Sequence, residues 1–326
     1  MKTACSSPPT IPKRSGKESA DFSTTRNSAS CSAPNQEKPL QRIFPGTEPQ
    51  KNWLNSTWKL LAEIILPAKY FKLRDSSPEK GQVWRGEDLG ERISLCEAQT
   101  IEPIISEHAS GKILEAGCGL GRWVLYLRSK GCDITGIDIA RDGLAQIASY
   151  APEAKVIAGN IESLPFADET FDTVISLGVV EHLEHGTEKA LAEFHRVLKP
   201  GGTLLLAVPY QNIVRTLMLR PLRWLYKKII ARGPRPFSEY RYIRREVVRM
   251  VAKAGFSVER IEADDFRPPY NMGMYADWPM LRSRRKWRLN WVGKLVRLPW
   301  RLISKWSVTS GVLVIGRKSQ AAGHKS

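Results

Sequence analysis

The stretch ILEAGCGLGRW, residues 113–123, sets three glycines at alternating positions directly behind a short apolar run. Such a run reads as a buried strand entering a turn, and glycine there lets the backbone take positive φ and come close to a ligand. In a doubly wound sheet a turn of this kind faces the ligand, because crevices open at the carboxyl ends of the strands. The spacing is G-x-G-x-G, at Gly117, Gly119 and Gly121, with Arg122 where a dinucleotide fingerprint has its last glycine. No Gly-Lys-Ser/Thr follows, which excludes a phosphate P-loop. Glu115, two residues ahead of the first glycine, would repel a pyrophosphate and suits a ligand bearing an ammonium.

Outward from this turn, short apolar runs alternate with amphipathic stretches of helix length. Strands are expected at 112–116, 132–138, 155–160, 171–177, 202–209, 256–263 and 312–318. Helices are expected at 122–130, 142–150, 187–198 and 243–254. The alternation predicts βαβ units: an α/β fold with a doubly wound, mostly parallel seven-stranded sheet covered by helices on both faces. Ahead of it, Trp58, Leu61, Ile65 and Leu66 have helical spacing that Pro67 ends, and a second helix is expected over roughly 91–108. Residues 1–50, rich in Ser, Pro, Thr and Asn, are too poor in large apolar side chains to offset chain entropy and are expected to be disordered. The organisation read from the chain is therefore a disordered segment 1–50, a helical cap 51–110, and a domain 111–326.

The second strand ends at Asp138, 21 residues after Gly117, where an acid can receive both hydroxyls of a ribose. A ligand with a ribose, no pyrophosphate and a cationic end near the first strand fits these residues, and S-adenosylmethionine has that form. Over residues 111–209 the chain resembles the class I S-adenosylmethionine-dependent methyltransferases of the small-molecule type 11 kind. ILEAGCGLGRW (113–123) is similar to their first motif and TGID (135–138) to their ribose acid. GNIESLPFADETFDTVIS (159–176) resembles their adenine-side segment, VVEHLEH (179–185) the Glu-His sequence after the fourth strand, and LKPGGTLLLAVP (198–209) the last core strand.

The resemblance implies a Rossmann-like methyltransferase fold with S-adenosylmethionine as cofactor. Gly117, Gly119 and Gly121 would line the methionine portion, with Glu115 near its amino group. Asp138 would take the ribose hydroxyls and Ile139 would pack on the adenine. Asn160 and Ile161 stand where the family usually has Asp followed by an apolar residue, and the Asn160 carbonyl would accept from the adenine amine. Leu177 and Gly178 would supply backbone contacts near the sulfonium.

A hydroxyl acceptor benefits from a base, and His182 suits by position and by its ordinary pKa near neutrality, with Glu181 and His185 as neighbours. The alternative is a purely structural imidazole. Glu181, His182 and His185 match no metal-site spacing, so no metal is expected.

Composition adds a partner. The 326 residues carry a formal net charge of +17, and its distribution is uneven: −2 over residues 1–208 and +19 over 209–326. Two basic insertions are expected to be helical, at about 210–240 and 264–306. Within them 212–236 has seven Lys and Arg and 282–306 has nine, with no acid in either. In the second, Trp287, Trp291, Leu295, Leu298, Leu302 and Trp306 have helical spacing beside Arg288, Arg297, Arg301 and Lys305, and Pro299 is expected to kink the helix. This pattern fits a helix in an anionic membrane interface, serving a small or lipid-linked acceptor methylated at oxygen. Two other readings stay open for the stripe: packing on the sheet as a lid, or binding RNA with aromatics on bases. A non-catalytic S-adenosylmethionine-binding module is the further alternative. Five scattered cysteines without CxxC spacing, no spanning apolar run and no secretory leader predict a cytoplasmic protein, peripheral at the inner face of the cytoplasmic membrane.

Overall fold

The computed structural model describes residues 68–71, 88–219, 237–285 and 287–320. The proposed disordered segment 1–50, the helix ended by Pro67 and most of the basic stretch 212–236 lie outside them. The strands are β1 (Ala68–Phe71), β2 (Lys112–Ala116), β3 (Asp133–Asp138), β4 (Lys155–Ala158), β5 (Phe171–Leu177), β6 (Leu198–Pro209), β7 (Phe237–Arg241), β8 (Phe256–Asp264) and β9 (Gly311–Lys318). The helices are α1 (Leu89–Ala98), α2 (Glu102–His108), α3 (Arg122–Ser129), α4 (Arg141–Tyr150), α5 (Glu188–Val197), α6 (Arg244–Lys253), α7 (Gly273–Asp277) and α8 (Trp291–Ile303).

Seven strands form one sheet in the order β4-β3-β2-β5-β6-β9-β8. The first five run parallel, and β9 is antiparallel to both β6 and β8. The strand order reverses between β2 and β5, which opens the ligand crevice of a doubly wound sheet beside the turn after β2. Alternation along the central strands feeds two cores. Ile175, Leu205 and Leu313 pack with Ile105, Trp123, Leu127 and Ile147 on one face. Val174, Leu206 and Val314 pack with Phe194, Val247 and Val251 on the other. Burial on both faces explains why these strands read as unbroken apolar runs.

Three local expectations are corrected. The helix placed at 91–108 is two helices. Asp88 caps the first, its Oδ1 accepting from the N–H of Gly90 at 2.8 Å, and Pro103 sits in the opening turn of the second. Between them Thr100 is drawn to β8, its N–H donating to the Asp265 carbonyl and its hydroxyl to that of Ala263. Proline is tolerated in the first turn of a helix and not in its interior, so the second helix starts just ahead of Pro103.

Likewise the stripe from Trp287 to Trp306 is not one helix. Asn290 accepts from the Gly293 N–H at 2.8 Å and so starts α8 at Trp291. Trp287 lies before that cap with φ of 62°. Trp306 follows the helix in a single 3₁₀ turn, Lys305–Ser307. α8 continues through Pro299. The third correction is β7, which lies at the end of the insertion 210–240 expected to be helical and pairs antiparallel with β1, Ala68 opposite Arg241. Of the first basic insertion, Arg215–Leu219 forms a π-helical turn.

A buried ion-pair network fastens this added material. Asp277 of α7 accepts from Arg215, after β6, and from Arg241, at the end of β7. Against burial that would raise its pKa, the two guanidinium groups hold the Asp277 carboxyl below the ordinary range. Replacing Asp277 with Ala leaves the buried Arg215 without a carboxylate, while Arg241 keeps Glu239, so the variant is expected to lose about 3–5 kcal/mol in a urea titration. A loss below about 1 kcal/mol would mean the network is dispensable.

Candidate active site

Three turns bring the expected residues to the carboxyl edge of the sheet. After β2 the chain folds back over the end of β3, with the N–H groups of Gly117 and Cys118 both donating to the Ile137 carbonyl, at 2.8 and 3.0 Å. Gly117, Gly119 and Gly121 have φ of 83°, 55° and 64°. A Cβ on Gly117 would stand 2.4 Å from Val179 Cγ1, and one on Gly121 2.6 Å from Ile147 Cδ1. Conformation and space both demand glycine at these two positions.

Two carboxylates brace the turn. Asp138 Oδ2 accepts from the Gly119 N–H at 2.7 Å and Oδ1 from the Ala140 N–H at 2.8 Å, so the tip of β3 is tied to the glycines. Glu115 lies buried beneath, its Oε2 accepting from the Val124 N–H at 2.9 Å. α3 starts on Gly121 without a side-chain cap, and Glu115 supplies that cap from the preceding strand. Burial pushes Glu115 up to about 8 against the opposing charge of Arg122.

Ile139 beside Asp138 is 71% exposed, a large apolar side chain left at the rim. Asn160 is exposed, and its Oδ1 accepts from the Glu162 N–H at 2.9 Å, closing its own turn. Ile161 packs into the core with Leu164 and Val180 and so takes no place on the crevice surface. Leu177 ends β5 and Gly178 follows with φ of 74°, its N–H donating to the Ala207 carbonyl.

Glu181 and His182 share the 3₁₀ turn Val180–His182. Glu181 is 2% exposed, and its Oε2 has no hydrogen-bond partner. Burial, then the charge of Glu239, pushes its carboxyl up to about 8. His182 is half exposed, with Nδ1 2.7 Å from the Ser238 carbonyl of β7 and Nε2 3.8 Å from Glu181 Oε1. A carbonyl only accepts, so Nδ1 carries the proton and Nε2 is the free basic nitrogen of the neutral ring. His185 is exposed, and no group of three or more His, Cys, Asp or Glu is placed to hold a metal among the described residues.

The structure adds groups that the sequence reading passed over. Gln99, between α1 and α2, donates to Asp264 Oδ1 and leaves its own buried Oε1 unpaired. Asp264 is pushed up to about 7 by burial, opposed by Arg122. Ser238 and Tyr240 of β7 close over the Glu181 turn, the Tyr240 hydroxyl donating to the Glu184 carbonyl at 3.0 Å. The alternation of FSEYR at 237–241 was the one available signal for β7. The buried oxygens on Gln99 and Glu181 without a partner in the protein are acceptors that a polar ligand group can satisfy.

Comparison with known proteins agrees with this geometry. Residues 114–206 match the family model described as "Methyltransferase domain". A malonyl-[acyl-carrier protein] O-methyltransferase of Pectobacterium atrosepticum is 31% identical over 104 residues, covering 32% of this chain and 41% of that protein. An uncharacterised methyltransferase of Synechocystis is 29% identical over 153 residues, 46% of this chain and 68% of its own. The chain thus spans less than half the length of the first relative and about two thirds of the second. Among solved structures, a putative methyltransferase in complex with the Haloferax volcanii Trm112 methyltransferase activator superposes with a TM-score of 0.53. That match is 16% identical and covers 76% of this chain and all of the other, a likeness of fold.

Glu181 supplies a test of the site. Its folded pKa lies above the ordinary carboxylate range, so between about pH 5 and 8 the folded state holds a proton that the unfolded chain has released. Stability therefore falls as pH rises through that window. Glu181→Gln removes the cost, and its melting temperature is expected to rise relative to the wild type from pH 5 to pH 8. A difference that stays constant with pH would contradict the burial of an unpaired carboxyl.

Proposed function

Taking as premise that residues 114–206 are an S-adenosylmethionine-dependent methyltransferase domain, we propose that the protein methylates an oxygen of a small or lipid-linked acceptor at a membrane surface. Bound S-adenosylmethionine supplies a methyl group already activated by its sulfonium. The chain's own residues hold, orient and deprotonate. Asp138 offers lone pairs to the ribose hydroxyls, and the glycine turn that it braces would lie against the methionine portion. Ile139 provides an apolar surface for the adenine.

His182 is the proposed base. Its Nδ1–H is held by the Ser238 carbonyl, which leaves Nε2 to take the acceptor's hydroxyl proton. Glu181 beside it, kept neutral by burial, adds no charge next to the ring and stands 3.8 Å from Nε2 as a positioning neighbour. This places Glu181 as a positioning group and His182 as the proton carrier. The malonyl-carrier methyltransferase among the relatives, named for transfer to oxygen, supports the choice of acceptor atom.

The observation that carries the membrane part is the outer face of α8. Trp291, Leu295, Leu298, Leu302 and Ile303 are between 55% and 79% exposed. Gly293, Arg297 and Trp300 form the inner face, where Gly293 lies against the Leu281 carbonyl and Trp300 packs on the Val214–Met274 cluster. These side chains of α8 face solvent, which supports a partner surface over a lid packed on the sheet. A cluster of this size on one helix is unusual unless something covers it, and exposed Lys294 and Arg301 beside it favour an anionic bilayer. No helix among the described residues is long and apolar enough to cross a membrane.

Incubation with labelled methyl donor and fractionated cell extract is expected to place label in lipid or small-molecule fractions, in alkali-labile or ether linkage to oxygen. Label confined to RNA would overturn the acceptor class. Asp138→Ala is expected to weaken S-adenosylmethionine at least about tenfold by calorimetry. His182→Ala is expected to lower kcat by about 10²–10⁴ with ligand affinity unchanged. An unaltered kcat would return the imidazole to a structural role.

A further inference from the structure

A cavity of about 330 Å³ opens between α8, the end of β8 and the residues ahead of β9, with Thr100 and Ile104 in its wall. Asp264 of β8 pairs with Gly311 of β9, and Gly311 with Pro209 at the end of β6. The cavity therefore lies on the same edge of the sheet as the active-site turns, yet none of its lining residues comes from the turns after β2, β3 or β5.

Its walls are strongly cationic. Arg267, Arg297, Arg301 and Lys305 line it, against Glu262 and Asp265. Both acids are already committed. Glu262 accepts from Lys305 at 3.1 Å and from Arg260 at 2.9 Å. Asp265 Oδ1 accepts from the N–H groups of Phe266 and Met272, and Oδ2 from Asn271 Nδ2 with Arg297 at 3.7 Å. Arg267 and Arg301 pair with no carboxylate among the described residues. Arg297 has a buried Nε–H without an acceptor. Converging guanidinium groups, one with an unused buried donor, ask for a compact multivalent oxyanion, and a phosphoryl group matches their planar donor geometry.

We infer that this cavity is a binding pocket for the phosphoryl group of a phosphate monoester. Arg301 reaches it from α8 and Lys305 from the 3₁₀ turn that follows, and Leu298 and Leu302 are exposed on the neighbouring stripe of α8. A phosphorylated lipid would thus seat its head group in the cavity while its chains stay with the apolar face. This lipid assignment rests on the membrane-surface reading of α8; the pocket itself does not. A soluble phosphate monoester has the same recognition chemistry, and the test separates the two sources.

The full chain is titrated with inorganic phosphate by calorimetry. It is then sedimented with phosphatidylcholine vesicles containing phosphatidic acid, a monoester, or phosphatidylserine, a diester, matched in surface potential. Wild type is expected to bind phosphate saturably and to prefer phosphatidic acid vesicles. Arg267→Ala with Arg301→Ala is expected to weaken both by about fivefold per lost cation and to abolish the preference. Leu298→Ser with Leu302→Ser is expected to weaken both vesicle types while leaving phosphate affinity unchanged. Saturable phosphate binding without preference between vesicles supports the pocket with a soluble ligand. No saturable phosphate binding together with equal retention on both vesicles overturns it, as does a preference that survives the double arginine variant. Affinity for S-adenosylmethionine, measured on the same variants, is expected to be unchanged. It reports folding and tests the methyltransferase reading separately.

Discussion

The structure depends on one reversal of the chain, in which β2 must hand over to α3 across the end of β3 within a few residues. The reversal leaves the first N–H groups of α3 without partners in a dry interior, a cost that some acceptor must offset. Glu115 meets it from the strand below, at Val124, and Asp138 meets it from the neighbouring strand, at Gly119. Of the two, Asp138 at the tip of β3 also sets the electrostatics of the turn, whereas burial pushes Glu115 up to about 8. A ligand entering here meets a surface already biased toward positive and hydroxyl-bearing groups and away from phosphate. The geometry of the turn and its chemical preference thus share one origin.

What could be read from the sequence was what local chemistry decides. Positive φ at Gly117 and Gly121 is dictated by the turn itself, and the position of Asp138 follows from strand length, so both are visible as spacing. Buried parallel strands advertise themselves as apolar runs, as KILEA and FDTVISL do. Most of the failures involve partners distant in the chain. β7 is five residues of alternation whose pairing strand lies some 170 positions earlier, beyond any window. The periodicity from Trp287 to Trp306 is real as a pattern. The Asn290 cap and the contacts of Trp287 with Tyr275 and of Trp306 with Tyr210 cut it to thirteen residues. Arg297 was read among the solvent-facing cations, whereas Asp265 draws it inward. The candidate site shows the same division: its residues were nameable, but the neutral, unpaired state of Glu181 needed its surroundings.

The two ends of the sheet are built on different terms. Around β2, β3 and β5 nearly every turn is clasped by its own backbone and side chains. Around β8, β9 and α8 the structure instead leaves cations unmatched and leucines uncovered, features that stability alone does not select. A molecule so divided has a self-sufficient half and a half whose surface is shaped for what it meets.

One feature of the added ribbon bears on how the protein comes into being. Ala68–Phe71 leaves the ribosome well before its partner strand, yet it is that partner which steers the His182 ring through the Ser238 carbonyl. The nucleotide-binding half is contiguous in the chain and can mature while synthesis continues, whereas the pairing of β1 with β7 has to wait. The Ser238 carbonyl that holds the His182 ring thus comes from a later part of the chain than the glycine turn and the His182 turn themselves.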